Sequence, residues 1–491
     1  MTRDARNAKG SGLAASWVAA LVAASCASAS PSPQTSAAQV APGSTAIAAT
    51  PVAPPSKPSE RDAQQRVAEW LQRVAAARHL PARAAVEARE LDRAALIASV
   101  REHVAREIPP DVIRNQGELL IGFGLVPPDF DYEEGAFRLL EAQLAGFYEP
   151  HDKKMYLAAD LPARAADATL AHELVHALQD QHYDLGKGLS YKPEANDRES
   201  ALQALAEGDA TSAMMDLLLK DAPRHPSAID VPDDVFAAQV ESSMTGTPES
   251  TTVPRVLRAS LVAPYVDGVI FVHGLRRRGL AKRADDGGWS AVDEAWRTPP
   301  ETTEQLLHLD KYDAHEPAEA IPPIAPPGPS WETTYDDVFG EEGLRIAVED
   351  WVPAKTAADV ARGWAGDRAS LFRAKGSSGE AGRSAPGASV SGTPLAAAWH
   401  MRFDRGAKDP DMDAREAFKA LADAIRPGQG GANAGVCKER PALGPMSVVR
   451  SGRDVVVVAG PYRRDGNRVA SDSLCTKSLR WAADILSKSR R

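Results

Sequence analysis

Cysteine is scarce in this chain: there are three among 491 residues, at positions 26, 437 and 475. Neither Cys437 nor Cys475 lies near a histidine in the chain, so we do not expect a nucleophilic cysteine. If Cys26 carries a lipid, the other two can pair and leave no odd thiol, which predicts a Cys437–Cys475 disulfide formed in an oxidising compartment. The alternative is that both are unpaired and buried.

The chain also lacks a strong net charge and, after residue 30, any apolar run that approaches a membrane span. Its formal net charge is −10, and this mild acidity argues against a nucleic-acid partner. A membrane-spanning helix needs about 20 apolar residues, so we expect none beyond the N-terminus. The apolar content of 43% is enough for real cores, and 491 residues leave room for two or three domains.

Residues 1–26 have the pattern of an export signal. Basic residues precede an apolar stretch at 13–24, which is too short to span a membrane. The stretch ends in Ala-Ala-Ser-Cys, which resembles a bacterial lipobox. Lipid on Cys26 would then anchor the protein in the outer membrane or cell envelope. The alternative is an ordinary signal-peptidase site at 27–29 and a periplasmic or secreted protein.

His172, Glu173 and His176 form the pattern H-E-x-x-H. The alanine, leucine and glutamine around them favour a helix, on which residues four apart lie about 6 Å apart along the axis and about 40° around it. Both imidazoles can therefore reach one metal ion. The Glu173 carboxylate would face a water on that ion and act as a base. The alternative is a pair of helix-surface histidines beside a solvated glutamate.

A third ligand is expected on the next helical segment, which is rich in alanine and leucine. Glu207 follows His176 by 31 positions and is the first choice, while Glu199, two helical turns earlier, competes with it. Two histidines and one carboxylate leave the fourth position of a tetrahedral zinc ion open for water, which is the catalytic arrangement. This set suits Zn²⁺ best without excluding other divalent ions. Gly208 and Ala210 are small enough to let two helices approach closely.

These segments resemble the gluzincin branch of zinc metallopeptidases, and within it a poorly characterised bacterial exported group. The resemblance rests on residues 146–150, 172–185 and 204–210, and it continues through 264–268 and 303–312. It covers roughly the middle half of the chain. It implies one zinc ion per chain, held by both histidines of the motif and a glutamate of the next helix, with the motif glutamate as general base.

The resemblance also implies that a strand just before the metal helix borders the cleft and pairs with extended substrate. Residues 145–150 and 155–158 predict a hairpin at this place. The thermolysin-type pattern E-x-x-x-D has no match, because neither Glu207 nor Glu199 is followed by aspartate four positions later. The residue that supports the ligands is therefore not identified by the pattern.

His308, Tyr312 and Tyr265 are candidates for stabilising the oxyanion that forms when water attacks a carbonyl. The resemblance suggests them, since metallopeptidases of this broad type use a histidine or tyrosine donor outside the set of metal ligands. The alternative for each is an ordinary buried, hydrogen-bonded side chain.

These features predict an α+β fold, mainly α, with a zincin-like metallopeptidase core, a small edge sheet and a small C-terminal α+β domain. The predicted segments are a signal peptide (1–26), a disordered Pro/Ala/Ser linker (27–59), an N-terminal helical segment (60–114), the metallopeptidase domain (115–374), a Gly/Ser-rich loop (375–394) and the C-terminal domain (395–491).

The predicted function is that of an exported zinc metallopeptidase, which acts on a peptide or protein substrate and contacts a membrane only through lipid on Cys26. The alternative is a catalytically silent, zinc-stabilised surface lipoprotein that serves as a binding or assembly module. Hydrolysis of a non-peptide bond, for instance in cell-wall material, would use the same site.

Overall fold

The computed structural model of the protein describes most of the chain after residue 59. The described residues are 60–161, 163–220, 227–246, 249–283, 285–375, 392–404, 409–431, 435–465, 467–471 and 473–489. The predicted signal peptide with its Cys26, the predicted linker and most of the predicted loop at 375–394 lie outside these residues.

Helices predominate and two β-sheets accompany them, which confirms the predicted α+β class. The helices are α1 (Glu60–Arg78), α2 (Arg93–Glu107), α3 (Pro110–Phe123), α4 (Tyr132–Gln143), α5 (Ala163–Tyr183), α6 (Leu185–Gly188), α7 (Asn196–Leu219), α8 (Asp233–Thr245), α9 (Arg255–Leu280), α10 (Trp289–Arg297), α11 (Thr303–Leu307), α12 (Leu309–Asp313), α13 (Gly340–Val348), α14 (Ala354–Ala361), α15 (Met412–Ile425) and α16 (Cys475–Lys488). The strands are β1 (Glu87–Leu91), β2 (Gly146–Glu149), β3 (Lys154–Ala158), β4 (Trp331–Asp337), β5 (Trp364–Ala374), β6 (Pro394–Phe403), β7 (Val436–Arg440), β8 (Gly444–Ser451), β9 (Asp454–Asp465) and β10 (Arg468–Ala470).

A three-stranded sheet, in the order β1-β3-β2, lies beside α5. β2 and β3 pair antiparallel, which confirms the predicted hairpin, and β1 pairs parallel with β3. The prediction of helix throughout 60–114 is wrong at β1. Its residues are half-buried or exposed without regular alternation, so the strand depends on its partner rather than on its own pattern. β2 forms the edge of this sheet, yet all four of its residues are buried.

Helix α5 packs against this sheet and against α7, and α7 packs along α9. Their backbones approach most closely at Gly208 and Gly268. A Cβ atom on Gly208 would lie 2.1 Å from the Gly268 carbonyl oxygen, and one on Gly268 would lie 1.9 Å from the carbonyl oxygen of Ala204. Only glycine allows this approach, as the sequence indicated for Gly208. The contact fixes the position of α7 against its neighbour.

Helix α9 is, among the described residues, the one helix long and apolar enough to cross a membrane by length and composition. The sequence prediction of no such run after residue 30 is wrong on this criterion. However, 72% of its most apolar window is buried inside the protein, which is what the core helix of a globular fold shows. Asp267 of this helix accepts a hydrogen bond from Arg345, so the helix also carries a buried ion pair.

The second sheet is antiparallel, in the order β4-β5-β6-β9-β8-β7, with β10 paired to β9. The run of valine at 455–458 predicts a buried strand, and the strand β9 of this sheet confirms it. Val455 and Val457 belong to the core shared with α3 and α4, whereas Val456 and Val458 face α16. Helices therefore cover both faces of the sheet, which explains the continuous run of valine.

This sheet crosses the predicted domain boundary at 375–394. β4 and β5 precede that segment and pair with each other, and β5 also pairs with β6, which follows it. The separate domain expected at 395–491 is therefore corrected to a sheet unit that begins at β4. The predicted Cys437–Cys475 disulfide is present and joins β7 to the first residue of α16. A loop of this length, 38 residues, gains about 4 kcal/mol of stability from such a link in the chain-entropy model.

Buried carboxylates line the junction between α7 and the sheet unit. Asp197, in the first turn of α7, accepts hydrogen bonds from the backbone N–H of Thr303 at 2.9 Å and from its hydroxyl at 2.6 Å. Burial raises the pKa of Asp197 to about 7, the Thr303 hydrogen bonds lower it, and the negative charges of Asp367 and Glu341 raise it further. The folded protein therefore keeps a proton at this site that the unfolded chain releases near pH 4.

We expect Asp197→Asn to flatten the pH dependence of stability. Because the folded-state pKa is raised, the stability contributed by protonated Asp197 is present below about pH 4 and is lost as pH rises towards 7. Asparagine keeps an acceptor for Thr303 without the charge. Relative to wild type, the variant should gain roughly 2–4 kcal/mol between pH 4.5 and 8, measured by urea unfolding. Parallel pH profiles of the two proteins would contradict this assignment.

Candidate metal centre

Helices α5 and α7 bring the three predicted ligands together. The Nε2 atom of His172 lies 3.0 Å from Nε2 of His176 and 3.1 Å from Oε2 of Glu207, and the distance from His176 Nε2 to Glu207 Oε2 is 3.6 Å. All candidate ligand atoms lie within 4.8 Å of one another. The helical spacing thus places both imidazoles on one face, and the glycine contact between α7 and α9 sets the carboxylate opposite them.

The donor set fits a divalent cation. His172 and Glu207 are 0% exposed and His176 is 2% exposed, so water does not solvate the three converging groups. Two imidazole nitrogens this close must have a hydrogen atom or a metal ion between them, because their lone pairs would otherwise repel each other. One oxygen of Glu207 has no hydrogen-bond partner in the described part of the chain. Two imidazoles and one carboxylate are the ligand set of catalytic zinc sites.

Burial and mutual charge shape the titration of the two histidines. Burial lowers the pKa of His172, and the neighbouring His176 lowers it further, against the effect of Glu207. Burial also lowers the pKa of His176, but the negative charge and hydrogen bond of Glu207 outweigh it and raise the value to about 9. Burial thus favours the neutral form of His172, whereas His176 and the Glu207 carboxylate can share one cation.

Gln179 supports the ligands and was not found by sequence reasoning. The Nδ1–H of His176 donates to Oε1 of Gln179 at 2.8 Å, and Nε2 of Gln179 donates to the carbonyl oxygen of Ala206 at 3.0 Å. The first bond leaves the Nε2 lone pair of His176 free to face a metal. The second ties α5 to the residue before Glu207. Its position three residues after His176, on the same helix face, is the signal that would have revealed it.

A second group of contacts stabilises α7, the helix of the third candidate ligand, and it comes from the N-terminal helix α1. Asp209, two residues after Glu207, accepts hydrogen bonds from Arg78 of α1 and from the indole N–H of Trp296 at 2.8 Å. Arg78 is fully buried, also pairs with Asp293 at 2.8 Å and lies over the Trp289 ring. Helix α1 therefore helps to fix the position of α7 through Arg78.

Glu173 lies at the edge strand β2. Its Oε2 accepts a hydrogen bond from the backbone N–H of Tyr148 at 2.9 Å, while its Oε1 is buried without a partner in the described part of the chain. Burial and the negative charge of Glu207 raise the pKa of Glu173 to about 8, against the effects of His176 and the Tyr148 amide. The Tyr148 amide thus holds one oxygen of the Glu173 carboxyl group, and the other oxygen is left for a further contact.

The three predicted oxyanion donors have different surroundings. Tyr265 of α9 is buried, and its ring centroid lies 6.2 Å from that of His172. In contrast, Nε2 of His308 pairs with Oε1 of Glu341 at 2.9 Å, and the hydroxyl of Tyr312 donates to the carbonyl oxygen of Thr298 at 2.8 Å. The structure thus brings Tyr265 beside the ligands and engages His308 and Tyr312 with other partners.

A second group of carboxylates with metal-like spacing is neutralised by a lysine. Glu304, Glu316 and Asp404 lie close together. The ammonium group of Lys311 pairs with all three, at 2.9 Å from Asp404 and 3.4 Å from Glu316. A protein cation already occupies the centre of this cluster, so it is a salt-bridge network.

A cavity of about 350 Å³ opens beside β2. Its lining includes Phe147, Tyr148 and Glu149 of β2 and Glu199 of α7. The three candidate ligands do not line it. Tyr148 links the cavity to the metal centre, because its backbone N–H holds Glu173.

Comparisons with known proteins identify one family and leave the metal centre outside it. The model of a family described as a domain of unknown function (DUF8575) matches residues 332–470. The match covers most of the second sheet and spans the segment at 375–394, in agreement with a sheet unit that begins at β4. Neither the curated proteins nor the solved structures that were searched gave a match.

Measuring the zinc content of two variants distinguishes Glu207 from Glu199 as the third ligand. Glu207→Ala should lower zinc affinity by more than about 100-fold, because it removes a ligand, whereas Glu199→Ala should still bind one zinc per chain. Both variants remove a buried glutamate from α7, so they control for each other. Metal content after dialysis against zinc, measured by mass spectrometry, checks this. Zinc lost from the Glu199 variant and kept by the Glu207 variant would reverse the assignment.

Removing the support of His176 should weaken zinc binding without abolishing it. Gln179→Ala takes away the acceptor for Nδ1–H, and loss of such a partner typically costs 10–100-fold in affinity, so a decrease of about that size is expected. Gln179→Glu keeps an acceptor oxygen and should retain most of the affinity. A competition titration with a zinc chelator measures both. Equal affinity of the alanine variant and wild type would show that Gln179 does not orient the ligand.

Proposed function

We propose that the protein is a zinc-dependent metallopeptidase with a zincin-like core formed by the β1-β3-β2 sheet and helices α5, α7 and α9. The observation that carries the proposal is the convergence of His172, His176 and Glu207 within 4.8 Å, with an unpartnered oxygen of Glu173 next to them on the same helix. These are the parts that metal-assisted peptide hydrolysis requires: three ligands and a separate base.

His172, His176 and Glu207 would hold the zinc ion. A zinc ion bound there would act as a Lewis acid and lower the pKa of a bound water from 15.7 to about 7. Glu173 accepts the proton of the attacking water on its free Oε1 and later gives it to the leaving amine. The Tyr148 amide fixes the other carboxylate oxygen of Glu173 during both transfers.

Two neighbouring elements would position the substrate. β2 is the edge strand of its sheet, and an extended peptide can add to such an edge by main-chain hydrogen bonds. Tyr265 is the one of the three predicted oxyanion donors whose ring lies beside a ligand, so we assign it that role in the proposed reaction. The contacts of His308 and Tyr312 give no support for the same role.

Export of the protein is part of the proposal. The Cys437–Cys475 disulfide supports it, because disulfides persist in oxidising compartments and are rare in the cytosol. A bacterial lipoprotein anchored through Cys26 remains the prediction from the N-terminal sequence.

The second candidate function is that of a zinc-stabilised binding or assembly module. The burial of the candidate ligands favours it, since the side chains of His172, His176 and Glu207 are at most 3% exposed. Structural zinc sites are closed by four protein ligands. The described residues group only three ligands at this site, and this favours the enzyme.

Glu173→Gln separates the two functions. The variant should bind one zinc per chain like wild type, because Glu173 is not a ligand. It should lose at least about 100-fold in cleavage of a denatured protein, because the amide cannot accept the proton. Wild-type cleavage should stop with a chelator and return with zinc. Cleavage by Glu173→Gln at the wild-type rate would exclude Glu173 as the base, and zinc binding without cleavage by wild type would favour the module.

A further inference from the structure

Glu199 is a buried carboxylate in the wall of the cavity beside β2. Its side chain belongs to α7, the residue is 6% exposed, and its Oε1 accepts a hydrogen bond from the backbone N–H of Lys192 at 2.7 Å. Among the residues that the structure describes, Glu199 takes part in no ion pair; the Lys192 side chain is exposed and acts on it only at a distance. The metal-ligand role considered for Glu199 falls instead to Glu207.

Two other acidic side chains of this wall have cationic partners, and the third, Asp184, is exposed to solvent. Glu149 pairs with His103 at 2.7 Å and with Arg106 at 3.0 Å, and Glu107 pairs with Arg106 at 3.5 Å. Burying a carboxylate is costly unless a cation compensates it, and burial raises the pKa of Glu199 to about 7. Of the two buried carboxylates of this wall, Glu149 has cationic partners, whereas Glu199 lacks an ion pair within the described part of the chain.

The rest of the cavity suits a flexible apolar chain. Val100, Ile108 and Phe147 are buried and line it together with Leu189. A volume of about 350 Å³ lies within the usual range of ligand sites, about 300–1,000 Å³. An alkyl stem can cover such walls while its charged head reaches a carboxylate. Two lysines also line the cavity, but Lys187 is exposed and Lys153 is paired with Asp180.

The cavity shares helix α7 and strand β2 with the proposed reaction centre. Glu199 precedes Glu207 by eight residues on α7, which is about 12 Å along the helix axis. Tyr148, which also lines the cavity, holds Glu173 through its backbone N–H. A substrate whose chain reaches the metal can therefore place a group three or four extended residues away, or a nearer long side chain, against Glu199.

We propose that this cavity is a cation-recognition subsite and that Glu199 is its specificity-determining residue, which pairs with the alkylammonium or alkylguanidinium group of a substrate. The assignment of the bound molecule as a peptide rests on the proposed function, whereas binding of the cation does not. The cation has two sources in a peptide, a lysine or arginine side chain and the α-amine of the N-terminus.

Direct binding tests the subsite without turnover. The probes are n-pentylguanidinium and n-pentylammonium, with the neutral n-hexanol as a shape control, titrated into the zinc-loaded Glu173→Gln chain and followed by calorimetry or NMR. Both cations should bind at least 10-fold more tightly than the alcohol. Adding Glu199→Gln should remove this difference, while adding Glu107→Gln, which removes a carboxylate that already has a cation, should preserve it. Equal binding of cations and alcohol would overturn the proposal.

Cleavage then distinguishes the two sources of the cation. Peptides with lysine, arginine or norleucine at successive positions, each with a free or an acetylated N-terminus, are incubated with wild type and Glu199→Gln. Wild type should favour either the basic side chain or the free amine by at least 10-fold in kcat/KM. Glu199→Gln should lose that preference through KM, with zinc content unchanged.

The outcomes separate this proposal from the proposed function. Cation binding that depends on Glu199, without cleavage of any peptide, would uphold the subsite and contradict the peptidase. Peptide cleavage with no preference for a cation, and with the same profile in Glu199→Gln, would uphold the peptidase and overturn the subsite.

Discussion

The convergence of two imidazole nitrogens and one carboxylate, away from water, is the constraint on which the rest of this structure depends. His172, His176 and Glu207 meet within 4.8 Å, and such a group is unfavourable unless a cation lies among its lone pairs. Close packing between two helix backbones holds these three side chains together. Gly208 and Gly268 let α7 lie against α9, and this approach fixes the carboxylate opposite the histidines.

The supports of this centre come from distant parts of the chain. Gln179 joins the histidine helix to the backbone before Glu207, and Arg78 of the N-terminal helix compensates Asp209 just after it. A buried arginine–aspartate pair costs several kcal/mol when one partner is removed, on the order of 3–5 kcal/mol. Helix α1 is therefore part of the metal unit. Removing it would leave Asp209 as an uncompensated buried charge.

Much of the centre could be predicted from sequence because it lies on two helices. The helical period alone places His172, Glu173 and His176. The same period, applied three residues beyond His176, would also have identified Gln179. The segments 145–150 and 155–158 likewise predicted the hairpin, and the valine run predicted β9. The predictions that failed concern elements that depend on tertiary partners. β1 forms only against β3, and β5, with β4 at its other side, pairs with a strand from beyond the segment at 375–394. The pairing of His308 with Glu341 also depends on a distant part of the chain, and no local sequence pattern predicts it.

Zinc K-edge X-ray absorption of the zinc-loaded full-length protein tests most directly whether these side chains form one metal centre. A site made by His172, His176 and Glu207 should show two imidazole nitrogens at about 2.0–2.1 Å and carboxylate or water oxygens at about 2.0–2.2 Å, with no sulfur. One zinc per chain with this environment is the expected result. A spectrum without imidazole scattering, or a chain that binds no zinc, would contradict the assignment and leave the three side chains as a buried hydrogen-bonded cluster.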